Sequence, residues 1–515
     1  MITKGFIKKG QYFDSVTLMI ISKNIKKLDG IIDSSIVMGT NENKSILKQA
    51  GLYCADFDNS SDAEILIAFQ ANSESDIEKA LTEVDNQLVN IRKQKSNDVN
   101  RKPKSLENAK LQMPDANLVL ISVAGKYATN EAFTALNNGL NVMLFSDNIS
   151  VENEIELKLK AREKGLLVMG PDCGTAIING IPLAFANVVN SGNIGIVAAS
   201  GTGLQEVSSI ISNLGAGISQ AIGTGGRDVK KEVGGIMFIE ALKALNNDDA
   251  TKVIVLISKP PHESVLQKIS EEIKNIKKPV VGIFIGANPE ILAKAGAISA
   301  SNLEEAAIIA ASISKNENYD NSLNNIKLRN SKLAEEAKII SQTCKGKYLR
   351  GLFSGGTLCD ETQLIMKDSV GYTFSNTPLN EKFKLNNVWI SQENTIIDLG
   401  DDEFTAGKPH PMIDFSLRCK KIIEEAKSPD VAVILLDLVL GFGSNISPLD
   451  DLIPAITETK KANPAICIIT SITGTDKDPQ NRAFIKTELG KIGVIVKSSN
   501  VEASILASNI IKLKN

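Results

Sequence analysis

A chain of 515 residues with 43% apolar side chains, 4% aromatic ones and 37 glycines exceeds one hydrophobic core; at roughly 150 residues per domain it holds three or four, and its composition excludes a disordered or fibrous chain in favour of stacked aliphatic α/β layers. A formal net charge of −3, from 57 basic and 60 acidic residues, gives no positive field of the kind that nucleic acid requires. Six cysteines without paired or metal-like spacing, two histidines, no secretory h-region and a strongest apolar run (Val431 to Phe442) interrupted by Asp437 predict reduced thiols, no metal site, no membrane span and a cytoplasmic location.

Residues 14–90 read as short strand–helix repeats. SVTLMIIS, SIVMGT and EILIAF have strand character, with helices near Asn24 to Leu28, up to Gly51, and from Ser73 to Asn90. Residues 1–92 are therefore expected to form a small α+β module of ferredoxin-like type. From about Ile91 to Ser105 the chain becomes RKQKSNDVNRKPKS, which reads as a linker.

Within a domain expected at 105–190, residues 118–190 alternate as βαβ units: LVLISVA, a helix around Ala128 to Asn137 stopped by Gly139, NVMLFS, a charged helix from Val151 to Lys164 ended by Gly165, and LLVMG. The near-continuous aliphatic strands predict a parallel sheet covered on both faces, in a partial Rossmann-like domain. From Asn193 the order is NIGIVAA, SGTGLQE, a helix with Leu204, Val207, Ile210, Ile211 and Leu214 on one face, AIGTGGRDV, KVIVLIS and VVGIFIG. The last third repeats it as YLRGLF, SGGTLCDE, TIIDLGDDEF, VAVILLDLVLG and AICIITSITGT. Recurrence in order and type predicts two duplicated, flavodoxin-like, doubly wound parallel-sheet domains at 191–315 and 340–515, joined by the Asn- and charge-rich stretch 315–335.

Each of the two glycine turns, Ser200, Gly201, Thr202, Gly203 and Ser354, Gly355, Gly356, Thr357, follows a strand and opens a helix. Small residues let the backbone approach a ligand while the first helical N–H groups and the helix dipole face an anion, so these eight residues are the candidate phosphate binders. The alternative is a capped turn without a ligand. The next loops carry Gly225, Gly226, Arg227 and Asp228 in one copy and Asp401 and Asp402 in the other. Arg227 suits bidentate binding of carboxylate or phosphate, and the acidic pair suits Mg²⁺ or a basic partner; solvated turns are the alternative. Asp172 and Cys173 in GPDCGT join Gly225, Gly226, Asp228 and Asp401 as candidate substrate-binding residues. Cys173 and Cys359 read either as nucleophiles near helix starts or as buried thiols, and His410 in KPHPMID as catalytic or structural.

With VMGPDCGTAI, GNIGIVAASGTGLQE, IGTGGRDV, AGAISA, SGGTLCDE and DLGDDEFTAGKPHPMID in view, residues 105–515 resemble the NDP-forming acyl-CoA synthetase superfamily, and within it the FdrA branch. The resemblance implies a CoA-binding-type domain at 105–190 and two helix starts converging on a phosphoryl group. It also implies a role in oxamate carbamoyltransferase, exchanging carbamoyl phosphate and oxamate with oxalurate and phosphate during purine and allantoin breakdown, in a hetero-oligomer with two other polypeptides; a homo-oligomer is the other assembly. Where the family places its phosphohistidine, this sequence reads AKAGAIS, with Lys294 at the match. Arg227, Lys294 and His410 are thus the candidate catalytic residues. No cofactor is obligatory on this reading. CoA, ATP and Mg²⁺ belong to the alternative of an acyl-CoA synthetase, and a scaffold or regulatory anion-binding subunit is the non-enzymatic alternative.

Overall fold

The computed structural model describes residues 2–10, 13, 15–96, 103–405 and 409–514, which fall into two compact units: residues 1–114 with 402–410, and residues 115–401 with 411–515. The expected linker falls partly outside the described residues. Its first part continues the helix Glu74–Ser96 beyond the expected end at Asn90.

In the N-terminal unit, β1 (Ile2–Lys8), β2 (Ile31–Met38) and β3 (Ile65–Ala71) form an antiparallel sheet ordered β1-β3-β2. The central strand reads as unbroken aliphatic sequence because both of its faces are covered. Ile65, Ile67 and Phe69 face one core with Leu18, Ile21 and Ile25, while Leu66 and Ala68 face a second with Leu47 and Phe57. SVTLMIIS, expected as a strand, lies within the helix Ser15–Ile25. Its Leu18, Ile21 and Ile25 are buried and Ile20 is exposed, a spacing of three and four that only a helix can turn to one side.

The second unit begins with β4 (Leu118–Ile121), β5 (Asn141–Leu144) and β6 (Val168–Met169), a parallel sheet ordered β4-β5-β6 with helices Gly125–Asn137 and Val151–Glu163 as its crossovers. A seven-stranded sheet follows, built from β7 (Thr175–Ile178), β8 (Ile181–Ala184), β9 (Ser191–Ala198), β10 (Ile218–Gly223), β11 (Val253–Ser258), β12 (Val280–Phe284) and β13 (Ile298–Ser299) in the order β13-β12-β11-β9-β10-β7-β8. The sheet boundary thus precedes Thr175, because the β7–β8 hairpin pairs with β10 rather than with the expected Rossmann-like strands. The third sheet comprises β14 (Tyr348–Phe353), β15 (Thr395–Asp398), β16 (Val431–Val439), β17 (Cys467–Thr473) and β18 (Ile495–Lys497), ordered β15-β14-β16-β17-β18.

Counted from β9 and from β14, both sheets have the parallel order 2-1-3-4-5, the flavodoxin-like arrangement expected from the repeated motifs. The stretch read as a joining segment is mostly the helix Tyr319–Thr343, capped by Asn318. One core runs through both copies, with Leu204, Val207 and Ile211 of the helix Gly201–Asn213 in the same cluster as Leu358 and Met366 of the helix Gly356–Val370. The Gly201 helix is consequently buried from Thr202 to Ser212, including Gln205, Glu206, Ser208 and Ser209. Among the described residues no helix is long and apolar enough to cross a membrane.

Candidate functional site

Strand 1 of each copy ends at the topological switch point, where neighbouring connections leave in opposite directions and open a crevice. Ser200 caps the Gly201 helix by accepting from Gly203 N at 3.0 Å. In the second copy Gly355 holds the cap position. The two helix starts meet there: Ser200 Oγ and Thr357 Oγ1 are 2.6 Å apart. A methyl group on Gly355 would come within 2.9 Å of Thr202 Cγ2, so glycine is what allows the approach. Gly201 is exposed, and a methyl group there would meet only Thr175 Oγ1, at 3.6 Å. The amides of the first helical turn have no intrahelical carbonyl and supply donors around this point.

The second turn already holds an anion, and the chain itself provides it. Asp437 on β16 accepts from Ser354 N and Gly355 N, each at 2.8 Å, and from the Ser354 hydroxyl at 3.1 Å. Arg418 binds the same carboxylate at 2.7 Å and the Asp437 carbonyl at 2.6 Å. Both side chains are buried. In the first copy Ile257, paired with Ala198, occupies the corresponding strand position. The expectation that Ser354 and Gly355 grip an external phosphate through their amides is corrected accordingly, and the first-turn amides left for an anion are those of Gly201, Thr202, Gly356 and Thr357.

Several other expected site residues are engaged in the framework. Arg227 binds the Glu154 carboxylate at 2.9 Å and the Ile149 carbonyl at 2.8 Å. Asp228 is fully buried, pairs with Lys158 at 2.8 Å and caps the helix Ile236–Asn247 by accepting from Met237 N and Phe238 N. Gly225 has φ +82 and leaves no room for a side chain beside Pro171 O, whereas Gly226 borders open space near Ala199 O. Asp172 is exposed with φ 54. Lys294 is 79% exposed and its ion pair is with Glu290 on its own helix, Pro289–Lys294, at 3.4 Å. Asp401 follows β15 by a short turn, and half-buried His410 groups with the N-terminal unit. Burial pushes the Cys173 thiol up to about 12 and the Cys359 thiol well above its ordinary value, which leaves neither as a nucleophile.

A charged cluster that the motif reading missed lies beside the paired starts. Lys259 directly follows β11, strand 3 of the first copy, and its ammonium is 2.6 Å from Asp360 Oδ2 on the Gly356 helix. Asp398, the last residue of β15, is only 8% exposed. Its Oδ1 accepts from Gly400 N at 2.9 Å, while among the described residues Oδ2 carries no hydrogen bond. That oxygen lies against the helix start, since a methyl group on Gly356 would sit 2.5 Å from it. Burial raises the Asp398 carboxyl to about 7; the Gly400 amide and Lys259 oppose the rise, and Asp360 and Asp401 add to it. Burial also raises Asp360 against the pull of Lys259. Burial works against the Lys259 ammonium, but Asp360 outweighs it and the net shift is upward. The available signal was the polar SKPP immediately after the apolar run KVIVLI, at a strand end bordering the switch point. Together these groups present helix amides, one ammonium and a carboxyl that exchanges its proton near neutrality.

Family models match the chain in three places. They are an AllF heavy metal-associated domain at 1–105, a CoA binding domain at 189–286 and a CoA-ligase at 352–510. The CoA-binding match thus falls on the first flavodoxin-like copy, not on 105–190. YahF of Escherichia coli (strain K12), itself described as uncharacterized, is 43% identical over 99% of both chains. Succinate–CoA ligase [ADP-forming] subunit alpha 2 of Archaeoglobus fulgidus is 30% identical over 33% of this chain and 60% of its own length. Among solved structures, the dinucleotide-forming acetyl-coenzyme A synthetase 1 of Ca. Korarchaeum cryptofilum aligns with a TM-score of 0.35 and 16% identity, covering 79% of this chain and 85% of its own. As for a heavy metal, residues 1–105 hold one cysteine, Cys54, and no histidine, and burial raises that thiol's pKa; these residues do not fit thiolate coordination.

Proposed function

Because this chain belongs to the acyl-CoA synthetase-like family that includes YahF, we propose that it binds an acyl phosphate at the paired helix starts and transfers the acyl group to an acceptor in the same crevice. The observation that supports this reading is the 2.6 Å contact between Ser200 and Thr357, which joins two helix starts, each favourable to an anion. The finer assignment is carbamoyl phosphate as donor and oxamate as acceptor, in a cytoplasmic assembly with two other polypeptides. Such a transfer needs the phosphate neutralised and the carbonyl oxygen stabilised, without a covalent carrier. Lys294, at the position of the family's phosphohistidine, is a surface lysine paired with Glu290.

The second reading is an NDP-forming ligase using CoA, ATP and Mg²⁺, and the matches at 189–286 and 352–510 favour it. On this reading a phosphate group of CoA would lie at the exposed Gly201, and CoA would supply a thiol as acyl acceptor. Incubating the complex with labelled ATP separates the readings. Direct transfer yields phosphate-dependent exchange with carbamoyl phosphate and no acid-labile phosphoprotein; a ligase relay yields the phosphoprotein.

Gly201→Val tests the site without crowding the core. Its first methyl meets only Thr175 Oγ1, at ordinary van der Waals distance, so the unfolding midpoint is expected to stay near that of the parent while turnover falls roughly 10² to 10³, the cost of losing a preorganised anion contact. Gly355→Val collides with Thr202 instead and is expected to lower stability and turnover together. Lys294→Met is expected to leave both unchanged.

A further inference from the structure

Resting on the acyl-phosphate reading, we propose that Lys259 and Asp398 grip the same phosphate, Lys259 as an ammonium and Asp398 as a neutral carboxyl that donates through Oδ2 and protonates the departing phosphate. Three observations on different elements converge. Lys259 leaves the end of β11, next to the strand that delivers Ser200, and Asp360 on the opposite copy's helix fixes its ammonium at 2.6 Å. The Oδ2 of Asp398 is held beside the start of that same helix, in a residue more than nine-tenths buried, and has no donor or acceptor of its own among the described residues. The contact between Ser200 and Thr357 brings the first copy's helix start against the residue that follows Gly356. The cationic role expected of Arg227 and Lys294 is thereby left to the lysine that both copies hold in place.

The groups facing Asp398 are Lys259 from the end of β11, Asp360 and Cys359 from the Gly356 helix, and the Gly400 amide and Asp401 from its own loop. One cation, at least two further carboxyls and a desolvated position keep its proton available near neutral pH, which suits a donor to phosphate. In the transfer, the acceptor's nitrogen or sulfur bonds to the acyl carbon and the bond from that carbon to the phosphate oxygen breaks. The phosphate oxygen keeps the electron pair and takes the proton of Asp398. The proton lost by the acceptor then restores the carboxyl.

Calorimetric titration of the full chain with inorganic phosphate and, separately, with sulfate tests this. Sulfate remains a dianion throughout, so any pH dependence belongs to the protein. Wild type is expected to bind both anions, with sulfate affinity falling about tenfold or more between about pH 6 and about pH 8 as a like charge replaces the Asp398 donor. Asp398→Asn should bind sulfate with that dependence flattened. Lys259→Met should weaken both anions about tenfold or more, Lys259→Arg should restore most of the affinity, and Lys294→Met should bind as wild type does. Wild-type binding that persists undiminished in Lys259→Met, or an unchanged pH dependence in Asp398→Asn, overturns this inference while leaving the acyl-phosphate reading in place. If wild type binds neither anion, both fall.

Discussion

Replacing Arg418 with methionine is expected to destabilise the second copy by about 3–5 kcal/mol, because it strips the counter-ion from a carboxylate that cannot reach water. Asp437 sits near the end of β16, flanked by Leu436 and Leu438 and fully buried. Its two oxygens are shared among Arg418, the Ser354 and Gly355 amides and the Ser354 hydroxyl, so the guanidinium carries the only positive charge in the set. Arg418 also lies over the Phe415 ring at 5.3 Å, and methionine keeps most of that packing. The loss therefore reports charge rather than volume. Asp437→Ile, which copies the residue of the first domain, should cost a similar amount by leaving the guanidinium unpaired. The double variant should be more stable than either single one, since removing both charges also removes both desolvation penalties. Recovery should stop short of wild type, because the two amides lose their acceptor at about 1–3 kcal/mol for each. Denaturant unfolding of the four proteins, with hydrogen exchange at residues 348–353 as the local readout, measures the cycle.

That carboxylate also marks the limit of what the linear sequence conveys. The pairing of SGTGLQE with SGGTLCDE was legible because a strand, a small-residue turn and a helix recur in one order, and that recurrence fixes both the sheet order and the meeting of the two starts. Asp437 was visible as the break in VAVILLDLVLG. Its partner was not, since Arg418 lies on the helix Ser416–Glu425, and nothing local distinguishes a core arginine from a surface one. Periodicity assigned the Gly201 helix one apolar face because periodicity measures hydrophobicity alone. Its polar face is buried too: Gln205 donates to Asn187, just ahead of β9, at 3.3 Å, and Glu206 accepts from Thr473 and Asn500 of the other copy. Arg227 and Asp228 had the right chemistry for a ligand. The acidic helix Val151–Glu163 engages them both, Arg227 through Glu154 and Asp228 through Lys158, a tertiary fact that no motif states.

The same duplication builds a reciprocal cap with a pH signature. Glu206 on the first copy's Gly201 helix accepts from Asn500 N at 2.9 Å, the opening amide of the second copy's last helix, Asn500–Lys512. Glu361 on the Gly356 helix accepts from Leu303 N at 2.8 Å, the opening amide of the first copy's last helix, Leu303–Ser314. Each half thus neutralises a helix end of the other, where a carboxylate is most favourable. Burial nevertheless raises Glu361 from 4.5 to about 7; hydrogen bonds from Asn500 and Leu303 oppose this, and Glu206 and Glu304 reinforce it. Between those two values the native protein holds a proton that the unfolded chain has released, so stability falls as pH rises through the window and is greatest below it. Each tenfold change in proton affinity is worth ~1.4 kcal/mol, so the contribution lost by Glu361 is about 3 kcal/mol. Glu361→Gln, with no proton to lose, should flatten the decline in unfolding free energy between about pH 5 and about pH 8 by that amount. Asp398→Asn should remove only the separate share of Asp398, which burial raises from 3.8 to about 7. Additive flattening in the double variant would place the two carboxyls in independent sites, whereas a shortfall would show that they titrate together across the junction.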